Sequence, residues 1–206
     1  AGATYDVLSD VSIASTATLT IPAGTTLRCS HAEHGLHVGG VLNVQGAPGN
    51  EVIFTSSKAS PAAGNWQGIQ INAGTGAVVI DHAVIQYAID GIRLNSIGTR
   101  SVTISNSLIA NNTDGIEVSG TPATNALITG NLIINNVYGV HLLGLSNSNP
   151  QPTITGNDLH SNTSYNVYSV SYLTSGTIVN ATGNWWGTTN VSTISSKIYY
   201  QQDNST

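Results

Sequence analysis

An all-β solenoid is the fold class that this 206-residue sequence predicts, and three observations predict it. One passage is written twice, 24 positions apart, so that residues 102–118 line up with residues 126–142. Within each copy apolar and polar residues alternate, the period-2 mark of a strand with one buried face. Fixed places between the alternating stretches hold Gly, Asn or His, types that tolerate the backbone of tight turns. A unit this short buries its apolar side only by stacking on its neighbours, so successive copies are layers of one body.

The repeat extends in both directions. Stepping back 24 positions reaches residues 78–94, where Gly91-Ile92-Arg93-Leu94 replaces Gly115-Ile116-Glu117-Val118. Stepping forward 26 or 27 reaches residues 152–169, and a partial copy ends in Gly183-Asn184-Trp185-Trp186-Gly187. Ile80, Ile104, Ile128 and Ile154 are the inward positions of one strand, with Asp81, Ser105, Thr129 and Thr155 beside them. The turn after this strand carries His82, Asn106, Gly130, Gly156 and Gly183. A second turn is expected at Gln67-Gly68, Asp90-Gly91, Asp114-Gly115, Tyr138-Gly139 and Tyr165-Asn166, with Asn166 standing in for Gly as the next best left-handed residue. Asn131, Asn157 and Asn184, and likewise Asn112, Asn136 and Asn162, recur in register and are placed to form amide ladders that satisfy turn backbone.

Before the regular copies, residues 1–30 read as a first, less regular coil with strands at 11–13, 18–20 and 26–28. Strands follow at 35–38, 41–44 and 51–56, then a Ser/Ala/Pro loop at 57–65. The reading is one domain over 1–206: an irregular coil or cap at 1–30, regular coils at 31–187 and a C-terminal tail at 188–206. Neither end offers an obvious amphipathic capping helix.

Charged residues are only 7% of the chain and hydrophobic ones 40%, which excludes a charged helical bundle and a disordered tail. A formal charge of −5 argues against nucleic acid as a partner. No apolar stretch reaches the eighteen or so residues of a membrane span. The start at Ala1-Gly2-Ala3 and the lack of Met lead to the expectation of a secreted protein, at the cell surface or outside the cell, whose signal peptide has been removed. Cys29 is alone, so no internal disulfide is expected. Of five Asn-x-Ser/Thr sequons, Asn190 and Asn204 lie outside the repeats and are the candidates for glycosylation.

Leucine-rich repeats share this period but require a leucine pattern that is missing here. Three phrases carry another resemblance: Glu51-Val52-Ile53-Phe54-Thr55-Ser56 leading to Gly64-Asn65-Trp66-Gln67-Gly68-Ile69, the Asn-Asn-x-x-Gly-Ile/Val repeats, and Gly183-Asn184-Trp185-Trp186-Gly187. Together they resemble the right-handed parallel β-helix of the pectate-lyase-like superfamily, over roughly residues 10–190. The resemblance implies a single right-handed parallel β-helix of about seven coils. It leaves activity open, because members include lyases, epimerases, hydrolases, adhesin stalks and NosD-like periplasmic proteins.

Register puts His37, Gln70, Arg93, Glu117, His141 and Tyr168 at one outward position of successive coils, a row of roughly 24 Å at the usual rung spacing. Such a row can follow a sugar chain. In related lyases and epimerases the substrate lies along a strand face, which by analogy makes His141 or Tyr168 the acid or base and Arg93 the clamp for a substrate carboxylate. The competing account is that Arg93, Glu117 and His141 are exposed neighbours whose charges offset one another at little gain. Only Glu117 supplies a carboxylate to the row, with Asp114 in the preceding turn, so the paired carboxylates of a glycosidase are not read. Asp90 and Asp114 share a column but read as Asp-Gly turns.

Cys29, His31 and His34, with Glu33 and His37 near by, group metal-ligating types in a short stretch. His34 falls at a turn position and His37 at an outward strand position, so these two are expected to diverge, and no metal or other cofactor is assigned. Trp186 falls at an inward position and plugs the last coil, whereas Trp185 faces out, near Tyr168 and Tyr172 in sequence. Val84, Leu108 and Leu132 form an outward apolar stripe that a monomer seldom exposes. Thr103, Thr129, Thr153 and Thr155 evoke an ice-binding array, but Val79, Leu127, Asp81 and Ser105 interrupt it. From low charge and the apolar stripe, the expected function is a non-catalytic, self-associating structural β-helix of an extracellular filament, sheath, surface layer or adhesin. The alternative is a polysaccharide-binding or polysaccharide-modifying protein that uses the outward row.

Overall fold

A computed structural model of the chain describes residues 2–120, 123, 125–145, 149–171 and 177–201. These wind as stacked three-strand coils. The first holds β1 (Thr4–Val7), β2 (Val11–Ile13) and β3 (Thr18–Pro22), and the second β4 (Thr26–Cys29), β5 (Gly35–Val38) and β6 (Val41–Gln45). The third holds β7 (Val52–Ser56), β8 (Trp66–Ile71) and β9 (Val78–Asp81), and the fourth β10 (Ala83–Gln86), β11 (Ala88–Asn95) and β12 (Val102–Ser105). Next come β13 (Leu108–Ala110), β14 (Asp114–Gly120) and β15 (Ala126–Thr129), then β16 (Leu132–Ile134), β17 (Tyr138–Gly144) and β18 (Thr153–Thr155). The seventh coil has β19 (Asp158–Leu159) and β20 (Tyr165–Val170). After it come a short helix α1 (Val191–Ser195) and β21 (Ile198–Tyr200).

Every strand pairs in parallel with its counterpart one coil away, giving three sheets. Sheet A runs β1-β4-β7-β10-β13-β16-β19, sheet B β2-β5-β8-β11-β14-β17-β20-β21, and sheet C β3-β6-β9-β12-β15-β18. Like residues sit over like. Ile80, Ile104, Ile128 and Ile154 stack inward from sheet C, Ile85, Ile109, Ile133 and Leu159 from sheet A, and Ile92, Ile116 and Val140 from sheet B, all fully buried. Each such side chain contributes about 2–3 kcal/mol of burial. The core is therefore a column of aliphatic stacks that no single coil could enclose.

Turn chemistry follows the sequence at the junction of sheets C and A. His82, Asn106, Gly130, Gly156 and Gly183 all adopt positive φ there. Beside them one amide ladder forms, and a second stands at the corner between sheets A and B. Asn131 Nδ2 donates to Asn157 Oδ1 at 3.0 Å and Asn157 Nδ2 to Asn184 Oδ1 at 2.9 Å. In the second ladder Asn112 Nδ2 donates to Asn136 Oδ1, and Asn136 Nδ2 to Asn162 Oδ1, each at 3.1 Å. These buried amides also take up backbone N–H and C=O groups that the turns leave without ladder partners, such as Asn112 N and Ile109 O.

The second expected turn is not a turn. Asp90-Gly91 lies inside β11, Asp114-Gly115 inside β14 and Tyr138-Gly139 inside β17. The left-handed residues of that corner come earlier, at Tyr87, Asn111, Asn135 and Ser161, and Asn166 is not among the positive-φ residues. Gly91, Gly115 and Gly139 are required for another reason. A Cβ on each would meet the carbonyl oxygen of residue 115, 139 or 166 on the next coil at 2.5–2.6 Å.

Two further differences concern the ends. Residues 4–7, to which the expected first coil gave no strand, form β1, which pairs residue for residue with β4. In the tail, Ile198-Tyr199-Tyr200 adds an eighth strand to sheet B by pairing with β20. Trp186 packs against the core, while Trp185 bridges to Asp158 and stays 46% exposed. Helix α1 buries no residue, and Asn190 caps it by accepting from Thr193 N at 3.1 Å.

Arg100, in the connection from β11 to β12, was not singled out from sequence. Only 3% exposed, it donates to the carbonyl oxygens of Val38, Gly40, Asn72 and Gly76 and ties the loops of three coils together.

Candidate functional site

The outward surface of sheet B carries a row of ionisable and aromatic side chains. Its register runs Ser12, His37, Gln70, Arg93, Glu117, His141, Tyr168 and Tyr199, one residue per rung. The six residues His37 to Tyr168 are thus consecutive neighbours. Beside them runs a second column, Gly68, Asp90, Asp114, Tyr138 and Tyr165. Residues three apart on a regular strand face opposite ways. Here both members of a pair such as Asp114 and Glu117 reach the same surface, because the strand is irregular at its glycine, as the register shift between Asp90 and Ile92 records.

This second column was hidden by reading Asp-Gly as a turn. Its repeat spacing was visible all the same, since Asp90, Asp114, Tyr138 and Tyr165 recur at 24, 24 and 27 positions. Tyr199 was missed because it lies beyond the last repeat.

The two columns interlock into a nearly buried polar cluster: Asp90 is 5% exposed, Asp114 7% and Glu117 6%. Arg93 Nη1 lies 3.5 Å from Asp90 Oδ2, and Arg93 Nε 3.1 Å from Glu117 Oε1. The latter is an ion pair in distance but not a hydrogen bond in angle, so both atoms remain without a hydrogen-bond partner. His141 Nδ1 is 2.9 Å from Asp114 Oδ2. Burial, then the charges of Glu117 and Asp114, push the Asp90 carboxyl up to about 7 against the opposing pull of Arg93 and Gln70. Burial alone would lower His141, but its bond to Asp114 and the charges of Asp114, Glu117 and Asp90 outweigh that and raise it above the ordinary imidazole value.

Next to the cluster the surface becomes aromatic. Tyr168 stacks on Tyr138 at 4.6 Å and on Tyr165 at 5.3 Å, and packs on Tyr199 at 5.1 Å. His141 joins this shelf, 5.1 Å from Tyr168 and 5.5 Å from Tyr138. At the other end of the row the polar atoms are engaged locally. His37 Nε2 lies 3.1 Å from Asp10 Oδ1, and Gln70 donates to Gln67 O at 3.1 Å. The carboxylate-clamp role for Arg93 meets a guanidinium already placed between two protein carboxylates.

The other candidates fall elsewhere. Cys29 is buried with Sγ directed at the carbonyls of His31 and His34, whose rings stack on one another at 4.5 Å. Among the described residues, the three that bring metal-ligating atoms within 4.8 Å of one another are Asp114, Glu117 and His141. Val84, Leu108 and Leu132 stack on sheet A, half-buried, with Ile53 continuing the column. Of the sequons, Asn162 is buried in its ladder and Asn190 is exposed as the cap of α1. Asn204, like Tyr172, lies outside the described residues. On sheet C the outward columns read Val79, Thr103, Leu127, Thr153 and Asp81, Ser105, Thr129, Thr155, so other residues interrupt the threonines in both. No helix of the described residues is long and apolar enough to cross a membrane.

Comparison with known proteins adds one match. Residues 1–83 fit the family model described as a pectate-lyase like beta helix domain. No curated protein and no solved structure matches the chain. The match covers the first coils, and the same three sheets continue through the rest of the described chain. The described chain is thus a right-handed parallel β-helix whose first coils are similar to the pectate-lyase like beta helix domain.

Proposed function

We propose that this β-helix is an extracellular polysaccharide-binding protein that holds a sugar chain along the outward face of sheet B. One observation carries the reading: four tyrosines, Tyr138, Tyr165, Tyr168 and Tyr199, form a continuous stacked shelf that ends against the Asp90–Asp114–Glu117 cluster. Flat aromatic faces take up the apolar faces of sugar rings, and polar groups at the edge fix hydroxyls. Three carboxylates against Arg93 and His141 leave the face without surplus positive charge, which favours a neutral, hydroxyl-rich chain over a polyuronate. The burial of the ionisable groups favours binding over catalysis. Asp90 and the Nε2 of His141 are screened from solvent, where an acid or base must reach its substrate. The test is glycan-array binding followed by titration of the best ligand. Tyr168→Ala is expected to weaken binding by about two- to tenfold, in line with the loss of one stacking contact. Absence of binding to every neutral and acidic polysaccharide overturns the reading.

Self-association remains a second reading, favoured by the column Ile53, Val84, Leu108 and Leu132 on sheet A, four aliphatic side chains left half-buried side by side. Light scattering at rising concentration tests it. Leu108→Lys is expected to shift an oligomer to monomer, and a wild-type chain that stays monomeric excludes it.

A further inference from the structure

The sheet B cluster also has the makings of a metal centre. We propose that Asp114, Glu117 and His141 bind one divalent first-row transition-metal ion, zinc or an ion of similar ligand preference. Two adjacent strands, β14 and β17, supply the three side chains, and their ligating atoms already lie within 4.8 Å of one another. The 2.9 Å from His141 Nδ1 to Asp114 Oδ2 is about the edge that two ligands make when each sits roughly 2.1 Å from a shared ion at a right angle. The ion takes the place of the proton between these atoms, and that proton leaves to solvent. A small rotation brings a Glu117 oxygen in as the third ligand.

Burial gives an independent reason. Asp114 and Glu117 are each more than nine-tenths buried, yet Asp114 Oδ1 and Glu117 Oε1 have no hydrogen-bond partner. A buried carboxylate oxygen without a hydrogen bond is costly, more so for Asp114 Oδ1 than for Glu117 Oε1, which Arg93 Nε faces at 3.1 Å, and a cation among the three side chains relieves it. Arg93 faces Glu117 from β11 and competes for it, so Glu117 is the weakest of the three ligands.

The donor set selects the ion. Two carboxylates and an imidazole suit zinc, manganese, cobalt or iron(II), whereas calcium and magnesium take oxygen ligands. Three protein ligands leave positions open toward the tyrosine shelf, although the inference does not depend on glycan binding.

The experiment titrates the metal-stripped full chain with Zn²⁺ by calorimetry and with Co²⁺ by visible absorption. One ion per chain is expected, with proton release that shows as a dependence of the heat on buffer. Asp114→Asn and Glu117→Gln should each weaken binding at least about tenfold while circular dichroism shows the β-helix intact. His37→Ala, on the same face but outside the cluster, should bind as wild type, and excess Ca²⁺ should not compete. The proposal is overturned by no saturable binding of either ion, by binding that survives both carboxylate variants, by loss on His34→Ala instead, or by equal competition from Ca²⁺. Weakened glycan binding in Tyr168→Ala with metal binding retained separates this inference from the polysaccharide reading.

Discussion

His141 and Asp114 are 27 residues apart in sequence and one rung apart in space, joined by a 2.9 Å contact from Nδ1 to Oδ2. That bond, with the crowding of Asp90 by two other carboxylates, sets how stability responds to pH. Asp90 rises from 3.8 to about 7 on folding, so its contribution is greatest below pH 3.8 and is lost as pH climbs through 7. His141 is also raised, so its contribution is present below 6.5 and is lost above that. Both slopes have the same sign. The metal-free protein should therefore lose melting temperature steadily as pH rises from about 5 toward 8. Asp90→Asn should flatten the curve and gain roughly 2 kcal/mol at pH 8. A melting temperature that is level or rises between pH 5 and 8 contradicts this.

The amide ladders should behave as shared supports rather than independent bonds. Asn136 is fully buried. Its Oδ1 accepts from both Asn112 N and Asn112 Nδ2, and its Nδ2 donates to Ile109 O and Asn162 Oδ1. Asn136→Ala leaves these partners buried and unmatched, and is expected to cost about 3 kcal/mol or more in urea unfolding. Asn125→Ala removes one exposed bond to Thr99 O and should cost less than about 1 kcal/mol.

Glycines in this fold separate by mechanism. Gly115→Ala brings a Cβ to 2.5 Å from Gly139 O and 2.9 Å from Asn136 Nδ2, so adjacent coils must part. Gly49 has φ +73° and open space around it, so alanine there meets only backbone strain of about 1 kcal/mol. Thermal melts should show the first substitution to be the more damaging by at least about 1 kcal/mol.

Arg100 offers a test of buried charge. Burial holds its guanidinium below the ordinary arginine value, and its interactions run to carbonyl oxygens of Val38, Gly40, Asn72 and Gly76. Arg100→Met preserves much of the volume but abandons these acceptors, at an expected cost on the order of 3 kcal/mol. Hydrogen exchange should quicken in the loops at 72–76 and 96–101 ahead of the sheets. Uniform exchange would show that Arg100 does not clamp the loops.

Much of the architecture was legible in the chain because a solenoid writes its tertiary contacts as a sequence period. Once residues 102–118 and 126–142 are aligned, Arg93, Glu117 and His141 fall in one column and the asparagines of each ladder fall in theirs. Register in a parallel stack is the repeat itself, so a coil boundary misjudged by a residue or two does not disturb it. The same reasoning failed at Asp-Gly. Two residues that usually make a turn sit here within a strand, because the corner is closed earlier by Tyr87, Asn111, Asn135 and Ser161.

Local sequence thus determined the coil, its period, the aliphatic stacks and the amide ladders, since each depends on residues that meet their own counterparts one repeat away. Tertiary structure alone decided what the outer face of sheet B became. The irregularity at Gly91 and Gly115 turns Asp90 and Asp114 toward Arg93, Glu117 and His141, and the tail returns to lay Tyr199 beside Tyr168. Side-chain direction in a bulged strand depends on how closely the next backbone approaches, and that distance is a property of the stacked coils.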